Sequence, residues 1–537
     1  MRWWGWGEDG HDVALPETAA ALLGSELGVS GSARRPPVEL DAVRLPEPRL
    51  SASVRERLSE AVGAEHARDD RETRVVHAAG RSYPDLVRLR SGDASNAPDL
   101  VLFPASAEQV GAVLAACAGA RVAVVPFGGG TSVVGGVEPV ADGFQGVVSL
   151  DLRRLDRLAD VDPISLTATL GAGLYGPEAE RRLAAEGLTL GHFPQSFEFS
   201  TVGGWVATRS AGQASTGYGR IDELVEGLRC VAPAGEISAR PVPASAAGPD
   251  LRELLVGSEG ALGVICEATL RVRPAPAVRH YEGWSFRSFA EGCEAFRVME
   301  QRHASPDVAR LSDEHETRLG MALASTGSSS ERLALRYLRL RGHEGGCIAV
   351  IGVEGEAEDV ERRRRHAAAL LRAGGGLALG RRPGDAWLHT RFGAPYLRDE
   401  LLDRRVLVET LETATSWSNL AALYAAVADA LRGTLGERSI VMCHVSHLYP
   451  SGASLYFTFL APQADDALEQ WRQAKSAASE AIMAGGGTIT HHHAVGRDHA
   501  PWMRAEVGDL GLELLRAAKA RLDPVGIMNP GKLLPPV

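Results

Sequence analysis

The chain of 537 residues is 45% hydrophobic and 23% charged, which is typical of a globular protein with more than one domain. Its 57 basic and 68 acidic residues give a formal net charge of −11, which argues against a nucleic-acid partner. The six cysteines are scattered without a C-x-x-C pair, so reduced thiols are expected instead of a disulfide framework or a zinc site.

The sequence shows no recognisable signal peptide, no peroxisomal C-terminal tripeptide and no apolar run of the about 20 residues that a spanning helix needs. Its heavy use of Ala, Arg and Gly is typical of GC-rich bacterial genomes. We therefore expect a bacterial cytoplasmic protein, with peripheral contact to the inner face of the membrane as an open alternative.

The first half of the chain divides into two predicted regions. Residues 1–93 are mixed and contain two helical patterns, Pro16–Leu27 and Ser51–Ala64. Residues 94–276 alternate predicted strands and helices with Gly-rich turns, beginning with strand Leu100–Phe103, helix Ala107–Ala118 and strand Val122–Val125. This alternation indicates an α/β unit.

The second half of the chain has a different pattern of predicted helices and strands. Residues 277–484 combine amphipathic helices with strands such as Ile348–Val353 and Ala453–Leu460, which predicts an α+β domain with an antiparallel sheet. Residues 485–537 return to Gly and His and end in a predicted helix, Gly508–Leu522. The run Arg362–Arg365 lies in a helical stretch, and a solvated helix face is favoured there over an anionic-lipid contact.

A glycine stretch, Pro126-Phe127-Gly128-Gly129-Gly130-Thr131-Ser132, follows the predicted buried strand. Because three glycines remove every Cβ from the turn, backbone N–H groups can approach a bulky anion, and Thr131 and Ser132 add hydroxyl donors. Gly136 stands where a Walker loop would need Lys, and the G-x-G-x-x-G spacing does not fit cleanly either. The stretch predicts an anion cradle, with a plain turn as the alternative.

Two further Gly/polar blocks follow in the same α/β stretch. The first runs from Gly191 to Gly204 and continues through Ala207–Gly212, and the second is Gly257–Ile265. Each block alone could be a surface turn. Three of them together predict a large, extended cofactor that touches the chain at several points.

The three blocks carry a family resemblance. The order PFGGGTS, PQSFEFSTVGGWVATRSAG and GSEGALGVI resembles the FAD-binding domain of the vanillyl-alcohol oxidase/PCMH flavoprotein superfamily. Within it, Met1–Gly7, Arg310–Asp313, Tyr396–Asp399 and Thr488–His493 resemble the alkyldihydroxyacetonephosphate synthase family. The triple histidine separates this branch from D-lactate and glycolate dehydrogenases, which carry Glu-His-Gly there. The resemblance covers nearly the whole chain.

The resemblance implies FAD as the cofactor. The binding is expected to be non-covalent, because the glycine stretch has no His or Cys at the usual attachment place. The residues that match the family's cofactor contacts are Pro126, Phe127, Gly128, Gly129, Gly130, Thr131, Ser132, Pro194, Gln195, Ser196, Phe197, Glu198, Phe199, Ser200, Thr201, Ala207, Thr208, Arg209, Ser210, Glu259, Gly260, Ala261, Leu262, Gly263, Val264 and Ile265.

The resemblance also implies site residues outside these blocks. Tyr456 matches the family's acid/base tyrosine, Arg398 its substrate-binding arginine, and Arg310 an arginine needed for activity. His491, His492 and His493 match its essential histidines. Tyr456 can supply the proton transfer if a nearby His or Arg lowers its pKa from about 10 toward working pH, and the histidines are expected to offer charge and hydrogen-bond donors near neutral pH.

Simpler interpretations of these residues stay open. Tyr456 could be half-buried packing on a strand, and Arg398 could pair with Asp399 or Glu400 on a helix surface. The early tryptophans could be core or cap packing instead of membrane anchors.

The histidine run is expected to form a strand. On a strand His491 and His493 face one side and His492 the other, so one shared role is not expected. Three adjacent residues rarely wrap a tetrahedral ion, so no metal is predicted.

The fold class predicted from these observations is α+β, with a two-part PCMH-type FAD-binding domain and an α+β cap domain on an antiparallel sheet. Residues 1–93 and 485–537 are expected to complete the FAD site. The function implied by the resemblance is exchange of the acyl group of an acyl-dihydroxyacetone phosphate for a fatty alcohol, without net redox change. The alternative is a FAD-dependent 2-hydroxy acid or alcohol dehydrogenase or oxidase. The expected partners are a long-chain acyl or alkyl small molecule and a second copy in a homodimer.

Overall fold

The computed structural model describes residues 1–11, 13–29, 34–325 and 327–535. The N-terminal region is mainly helical. Its predicted helices are confirmed within a few residues, and Tyr83 and Leu86 of its last helix join the core of the cap described below. The elements are α1 (Glu17–Leu27), α2 (Ala52–Val62), β1 (Ala67–Arg68), α3 (Arg71–Val76) and α4 (Tyr83–Arg90), with 3-10 turns at Leu40–Ala42 and Ala64–His66.

A four-stranded sheet follows, in the order β1-β2-β4-β3, with β2 (Leu100–Leu102), α5 (Ala107–Ala120), β3 (Val122–Phe127) and β4 (Gly146–Asp151). Strands β2 and β3 each run parallel to β4. Their near-continuous burial is typical of a parallel sheet covered on both faces. The predicted strand–helix–strand order is confirmed.

A second, antiparallel sheet has the order β5-β6-β10-β8-β9. Its core is closed by Leu183, Val206 and Leu255 from the helices that pack on it. The elements are β5 (Leu158–Asp162), β6 (Thr167–Gly171), α6 (Gly176–Ala185), β7 (Leu188–Thr189), α7 (Val202–Thr208), α8 (Ser215–Tyr218), α9 (Ile221–Leu224), β8 (Val225–Ala232), β9 (Gly235–Ala239), α10 (Leu251–Leu255), β10 (Val264–Arg271) and β11 (Arg273–Pro274), where β11 pairs with β7.

The largest sheet has eight strands, all between Val278 and Pro462, in the order β15-β12-β14-β13-β17-β19-β16 with β18 beside β19. Its pairs are antiparallel, as predicted for the cap. The elements are β12 (Val278–Phe286), α11 (Phe289–Gln301), β13 (Val308–Ser312), α12 (Glu314–Ala324), α13 (Ser329–Leu340), β14 (Cys347–Gly355), α14 (Ala357–Ala373), β15 (Leu377–Gly380), α15 (Arg381–Thr390), α16 (Ala394–Asp403), β16 (Val406–Ser416), α17 (Leu420–Leu435), β17 (Ile440–Val445), β18 (Leu448–Tyr449), β19 (Gly452–Pro462) and α18 (Ala467–Ala484).

The chain ends with a 3-10 turn, Ala500–Trp502, and helix α19 (Met503–Leu522). Gly508, with φ 73° and ψ 172°, divides this stretch into two helices, and the second confirms the predicted helix Gly508–Leu522. No helix of the described ranges is long and apolar enough to cross a bilayer.

The arginine run on α14 is only partly a solvated face. Arg362 and Arg365 are exposed, but Arg363 lies 3.0 Å from Asp307 and Arg364 donates at 3.0 Å to Glu282. The prediction of a solvated face is therefore wrong for the two middle arginines, because buried carboxylates of the sheet attract them.

Candidate active site

A cavity of about 350 Å³ lies between the FAD-binding region and the cap, a size typical of small-molecule sites. We call residues 128–133 and 194–213 the FAD-side wall, and residues 308–316, 394–410, 444–458 and 491–493 the cap-side wall. The predicted site residues that line the cavity are Gly128, Gly129, Gly130, Thr131, Ser132, Pro194, Gln195, Ser196, Ser200, Thr201, Thr208, Ser210, Arg310, Arg398, Tyr456, His492 and His493.

The glycine stretch packs closely against the second Gly/polar block. A Cβ at Gly129 would lie 1.6 Å from the carbonyl oxygen of Phe199, and one at Gly128 would lie 2.4 Å from Thr201 Oγ1. Gly130 has φ +69°, which favours glycine. Thr201 also caps α7 by accepting from the N–H of Gly204. Glycine is therefore required at these positions because the two blocks contact each other closely. Together they form one continuous wall of the cavity.

The third block lies behind this wall. The buried carboxylate of Glu259 accepts from the backbone N–H groups of Val495 at 2.8 Å and Gly496 at 2.7 Å. Burial raises the pKa of Glu259 to about 7, although these hydrogen bonds oppose the shift. The other predicted residues of this block are buried, and none of them lines the cavity. They are Gly260, Ala261, Leu262, Gly263, Val264 and Ile265.

The other predicted cofactor residues outside the cavity lining have protein partners. Pro126 and Phe127 end β3, and Ala207 lies on α7. Phe197 stacks on Trp205 and Phe392, and Glu198 accepts from the Tyr396 hydroxyl at 3.2 Å. Phe199 meets Trp6 edge to face, and Arg209 pairs with Asp222 and Glu253.

Arg398 projects from α16 into the cavity. One guanidinium nitrogen donates to the carbonyl oxygen of Arg81 at 2.7 Å, while Nε and Nη2 are buried without a hydrogen-bond partner among the described residues. Among the described residues, Glu409 is the only carboxylate within ion-pair distance of Arg398, at 3.8 Å. The alternative of a surface pair is wrong, because Asp399 accepts from the Trp6 N–H and Glu400 pairs with other arginines.

Tyr456 lies on β19 with its ring between histidines. It stacks on His444 at 4.7 Å and on His492 at 5.9 Å, and meets His493 edge to face at 5.4 Å. Burial raises the pKa of Tyr456 to about 12, and the hydrogen bond with Thr410 and the charge of Arg398 only partly oppose the shift. The condition of a lowered pKa is therefore not met, and the phenol holds its proton at neutral pH.

The three histidines form a bend and not a strand. The backbone N–H groups of His491, His492 and His493 all donate to the fully buried carboxylate of Glu412, at 2.6, 3.1 and 2.8 Å. Thr490 adds a hydroxyl donor at 2.7 Å. The predicted alternation of sides is wrong, because the chain here wraps around one carboxylate.

Burial also decides the charge of these groups. It lowers the pKa of all three histidines, and does so strongly for His491 and His493. Burial opposes ionisation of Glu412, but the pKa of that carboxyl lies well below its usual value. Its four donors, the three backbone N–H groups and the Thr490 hydroxyl, favour the ionised form without any charge on the rings. The expectation of charged histidines near neutral pH is therefore wrong: the rings are neutral and the carboxylate is ionised.

The ring of His447 lies beside the rings of His491 and His492. The ligand atoms of His447, His491 and His492 lie within 4.8 Å of one another, a grouping that spacing in the sequence did not reveal. The outer nitrogens are already hydrogen-bonded, His447 Nδ1 to Ser215 at 2.6 Å and His491 Nε2 to Tyr449 at 2.7 Å. These bonds orient the rings as parts of a hydrogen-bond network, and no metal is assigned to them.

Arg310 lies on β13 within a charged cluster. It donates at 2.9 Å to Glu316, and His444 contacts the same carboxylate oxygen at 3.0 Å. Although burial opposes ionisation, His444 and Arg310 lower the pKa of Glu316 to about 2. Sequence reasoning missed Glu316 and His444, although the first stands only three residues beyond the Arg310–Asp313 segment.

The N-terminal strap, residues 2–7, closes one side of the cavity. Trp6 lines it, and its backbone N–H donates to Asp399 at 2.7 Å. The buried guanidinium of Arg81 donates to the carbonyl oxygens of Gly5 and Arg2 at 3.0 and 2.5 Å. A Cβ at Gly5 would lie 2.3 Å from Asp399, so the strap is fitted to the helix that carries Arg398.

The residues present suit a flavin. The FAD-side wall offers hydroxyls and side-chain-free backbone, and Gln213 Oε1, Trp6 Nε1 and His493 Nδ1 are buried polar atoms of lining residues without a described hydrogen-bond partner. Such atoms are normally satisfied by a ligand or water. A polar, extended ligand therefore fits the cavity.

Comparison with known proteins also supports a flavin in this cavity. The FAD binding domain family matches residues 98–239, and the family of FAD linked oxidases, C-terminal domain, matches residues 275–533. The alkyldihydroxyacetonephosphate synthase of Dictyostelium discoideum is 34% identical over 94% of this chain and 84% of that protein. The chain belongs to the alkyldihydroxyacetonephosphate synthase family.

Other members of the family support the same assignment. The synthase of Trypanosoma brucei brucei is 33% identical over 100% of this chain and 92% of that protein. A solved alkyldihydroxyacetonephosphate synthase superposes with a TM-score of 0.87 at 30% identity, covering 99% of both chains. The predicted α+β fold with a PCMH-type FAD-binding domain and a cap is confirmed, and the chain is an enzyme with FAD as its cofactor.

Proposed function

We propose that this enzyme exchanges the acyl group of an acyl-dihydroxyacetone phosphate for a fatty alcohol, without net redox change. The observation that carries the proposal is the Arg398 guanidinium, whose buried Nε and Nη2 have no hydrogen-bond partner among the described residues, beside a protonated Tyr456 and neutral histidines. Membership of the synthase family supports the same reaction. The substrate would be a small lipid molecule with a long acyl or alkyl chain.

Arg398 would bind the anionic part of the substrate. A guanidinium offers a planar fork that can hold a phosphate or a departing carboxylate through two hydrogen bonds. Glu409, 3.8 Å away, and the Arg81 carbonyl oxygen fix the rest of the group in the direction of the cavity. Expelling a fatty carboxylate requires such a cation close to the bond that breaks.

The proton transfers would divide between two kinds of group. Removal of a proton from the carbon next to the substrate carbonyl needs an acceptor, and the neutral rings of His492 and His493 line the cavity. Tyr456 holds a proton at Oη and so can donate it to an oxygen that gains negative charge. This assignment gives the acid/base tyrosine the part of a proton donor.

The FAD-side wall would hold the cofactor. Gly128–Gly130 and the hydroxyls of Thr131 and Ser132 would face its pyrophosphate, with residues 194–201 against the remainder. When bound, the flavin supplies an electron-poor ring for covalent catalysis. Non-covalent attachment, a homodimer and a cytoplasmic location stay predictions.

One experiment separates the exchange reaction from 2-hydroxy acid or alcohol oxidation. Purified holoenzyme is mixed anaerobically with D-lactate, glycolate or palmitoyl-dihydroxyacetone phosphate, and then with a fatty alcohol. We expect release of palmitate and an alkyl product while the flavin spectrum remains oxidised. Flavin bleaching by a hydroxy acid, without exchange, would contradict the proposal.

A further inference from the structure

The histidine bend is connected to a tyrosine at the edge of the site. His491 Nδ1 lies 3.1 Å from His492 Nδ1, and His491 Nε2 lies 2.7 Å from the Tyr449 hydroxyl oxygen. Both are hydrogen-bond distances. Because both ring nitrogens of His491 are used, its ring joins the other two side chains into one continuous chain of hydrogen bonds.

The two ends of this chain lie in different surroundings. His492 lines the cavity, and His491 in the middle is buried. Tyr449 at the other end is half-buried, and Pro450, which follows it, is exposed. The hydrogen bonds therefore lead from the cavity, through its wall, toward the surface of the protein.

The hydrogen bonds of this chain can all point the same way. With its proton on Nδ1, His492 donates to Nδ1 of His491, which then carries its own proton on Nε2 and donates it to Tyr449. Nε2 of His492 is left without a proton and available to a substrate. In the reverse arrangement Tyr449 donates inward. The two arrangements differ by one proton shifted along each bond, which is what a proton relay requires.

A buried carboxylate lies beside the middle of the chain. Glu412 is 3.6 Å from His492 Nδ1 and 4.0 Å from His491 Nδ1. Burial lowers the pKa of both rings and keeps them neutral at rest, but the charge of Glu412 opposes this shift. A proton that passes through the rings is therefore stabilised by a counter-charge at a depth where an unpaired imidazolium would be costly.

The chain also distinguishes the two predicted histidines that line the cavity. His493 Nδ1 is buried and has no hydrogen-bond partner among the described residues, so a proton taken up by this ring has no described path onward. His492 has such a path through His491. The hydrogen bonds therefore favour His492 over His493 as the group that exchanges a proton with the substrate.

Charged groups surround the outer end of the chain. The Arg220 guanidinium lies beside the Tyr449 hydroxyl and pairs with Asp222 at 3.1 Å. Burial raises the pKa of Tyr449, and Arg220 only partly opposes the shift. The acidic side chains of Asp222 and Glu223 favour the protonated phenol as well. Tyr449 can therefore pass a proton on only by accepting one as it gives its own away.

We propose that His492, His491 and Tyr449 form a proton relay between the cavity and solvent, with Tyr449 as its outer residue. His492 Nε2 takes a proton from the carbon next to the substrate carbonyl, and the electron pair of that C–H bond stays on the substrate. One proton then shifts along each hydrogen bond, and Tyr449 releases one to water. The reverse shifts return a proton to the carbon and restore the chain. The source of the proton rests on the proposed function.

The test is Tyr449→Phe, which retains the ring beside His491 and removes the hydroxyl. Holoenzyme is incubated without fatty alcohol with palmitoyl-dihydroxyacetone phosphate that carries tritium on the acyl-bearing carbon, and tritium in the water is counted. We expect the variant to release tritium at least about 10-fold more slowly, because the proton stays on His492 and returns to the same carbon. Added imidazole should restore part of the rate, since a mobile proton carrier can replace the hydroxyl.

Tyr424→Phe is the matched control. Tyr424 is also half-buried, and its hydroxyl donates at 3.1 Å to Asp313 outside the cavity lining, so this variant should release tritium at the wild-type rate. Equal slowing in both variants, a wild-type rate in Tyr449→Phe, or no release by the wild type would overturn the proposal.

Two further results would also overturn it. A slow Tyr449→Phe protein that imidazole does not restore would show that the hydroxyl has only a structural role. Slow release from Ser215→Ala together with a wild-type rate in Tyr449→Phe would place the path through His447 instead, because His447 Nδ1 lies 2.6 Å from the Ser215 hydroxyl.

Formation of alkyl product after addition of a fatty alcohol tests the proposed function separately. If Tyr449→Phe releases tritium slowly and imidazole restores it, but the wild type forms no alkyl product, the relay stands and the exchange reaction fails. If alkyl product forms and both proteins release tritium equally fast, the exchange reaction stands and the relay fails.

Discussion

The two walls of the cavity are built by opposite means. The FAD-side wall relies on missing side chains, because Gly128 and Gly129 leave space that the backbone of residues 199–201 fills. The cap-side wall relies on ionisable groups in unusual protonation or pairing states: Arg398 and Tyr456 line it, and the buried Glu412 supports the histidine bend behind it. Cofactor binding here therefore depends on backbone fit, and reaction chemistry on these ionisable groups.

The largest expected effect is on the FAD-side wall. Gly129→Ala places a Cβ 1.6 Å from the Phe199 carbonyl oxygen, so one of the two blocks must move and the purified protein should contain almost no FAD. Flavin content per chain, measured by absorbance, checks this. Gly119→Ala is the control: this glycine lies in α5 with nothing within 4 Å, so the change should keep FAD and add up to about 1 kcal/mol of stability. A Gly129→Ala protein with one FAD per chain would contradict the conclusion that cofactor binding depends on backbone fit.

The next effect concerns the cap-side wall. Glu412→Ala leaves three buried N–H groups of the histidine bend without their acceptor, which should lower the free energy of unfolding by about 3 kcal/mol or more. Urea denaturation of the holoenzyme measures it, and turnover should fall as well. Glu506→Ala is the matched control, because this exposed carboxylate also accepts from Thr488 and Ile489. It should cost less than about 1 kcal/mol, and similar losses in both variants would contradict the account.

The smallest effect appears in pH dependence. Burial raises the pKa of Asp399 to about 6, although the Trp6 N–H and nearby arginines oppose it. The folded state thus favours the protonated carboxyl, so this group adds stability at low pH that is lost as pH rises from about 4 through 6. Relative to wild type, Asp399→Asn should remove about 2–3 kcal/mol of that variation.

Unfolding free energies from pH 4 to pH 7 test this sign. Trp6→Phe is the control, since it retains the backbone N–H that Asp399 accepts and should follow the wild-type curve. An Asp399→Asn curve parallel to that of the wild type would show that burial does not raise the pKa of Asp399, and would contradict this prediction.

Much of the fold and part of the site follow from the sequence alone. The glycine stretch, the strand–helix–strand order and the antiparallel cap are local patterns, and the histidines, Arg398 and Tyr456 are found through family resemblance. Glu412, Glu316, His444 and Trp6 were missed, because β13, α12, β16, β17 and the strap meet only in the folded chain. The raised pKa of Tyr456 does not follow from the sequence either, since burial cannot be read from neighbours in sequence.

The most direct test of the division between the two walls is Tyr456→Phe. The change removes one hydroxyl from the cap-side wall and leaves the FAD-side wall intact, so the purified variant should carry one FAD per chain like the wild type. Exchange of acyl for alkyl, measured as product per bound flavin, should fall by about 10²–10⁴ because the proton held at Oη is lost. Full exchange activity, or loss of FAD from this variant, would contradict the account.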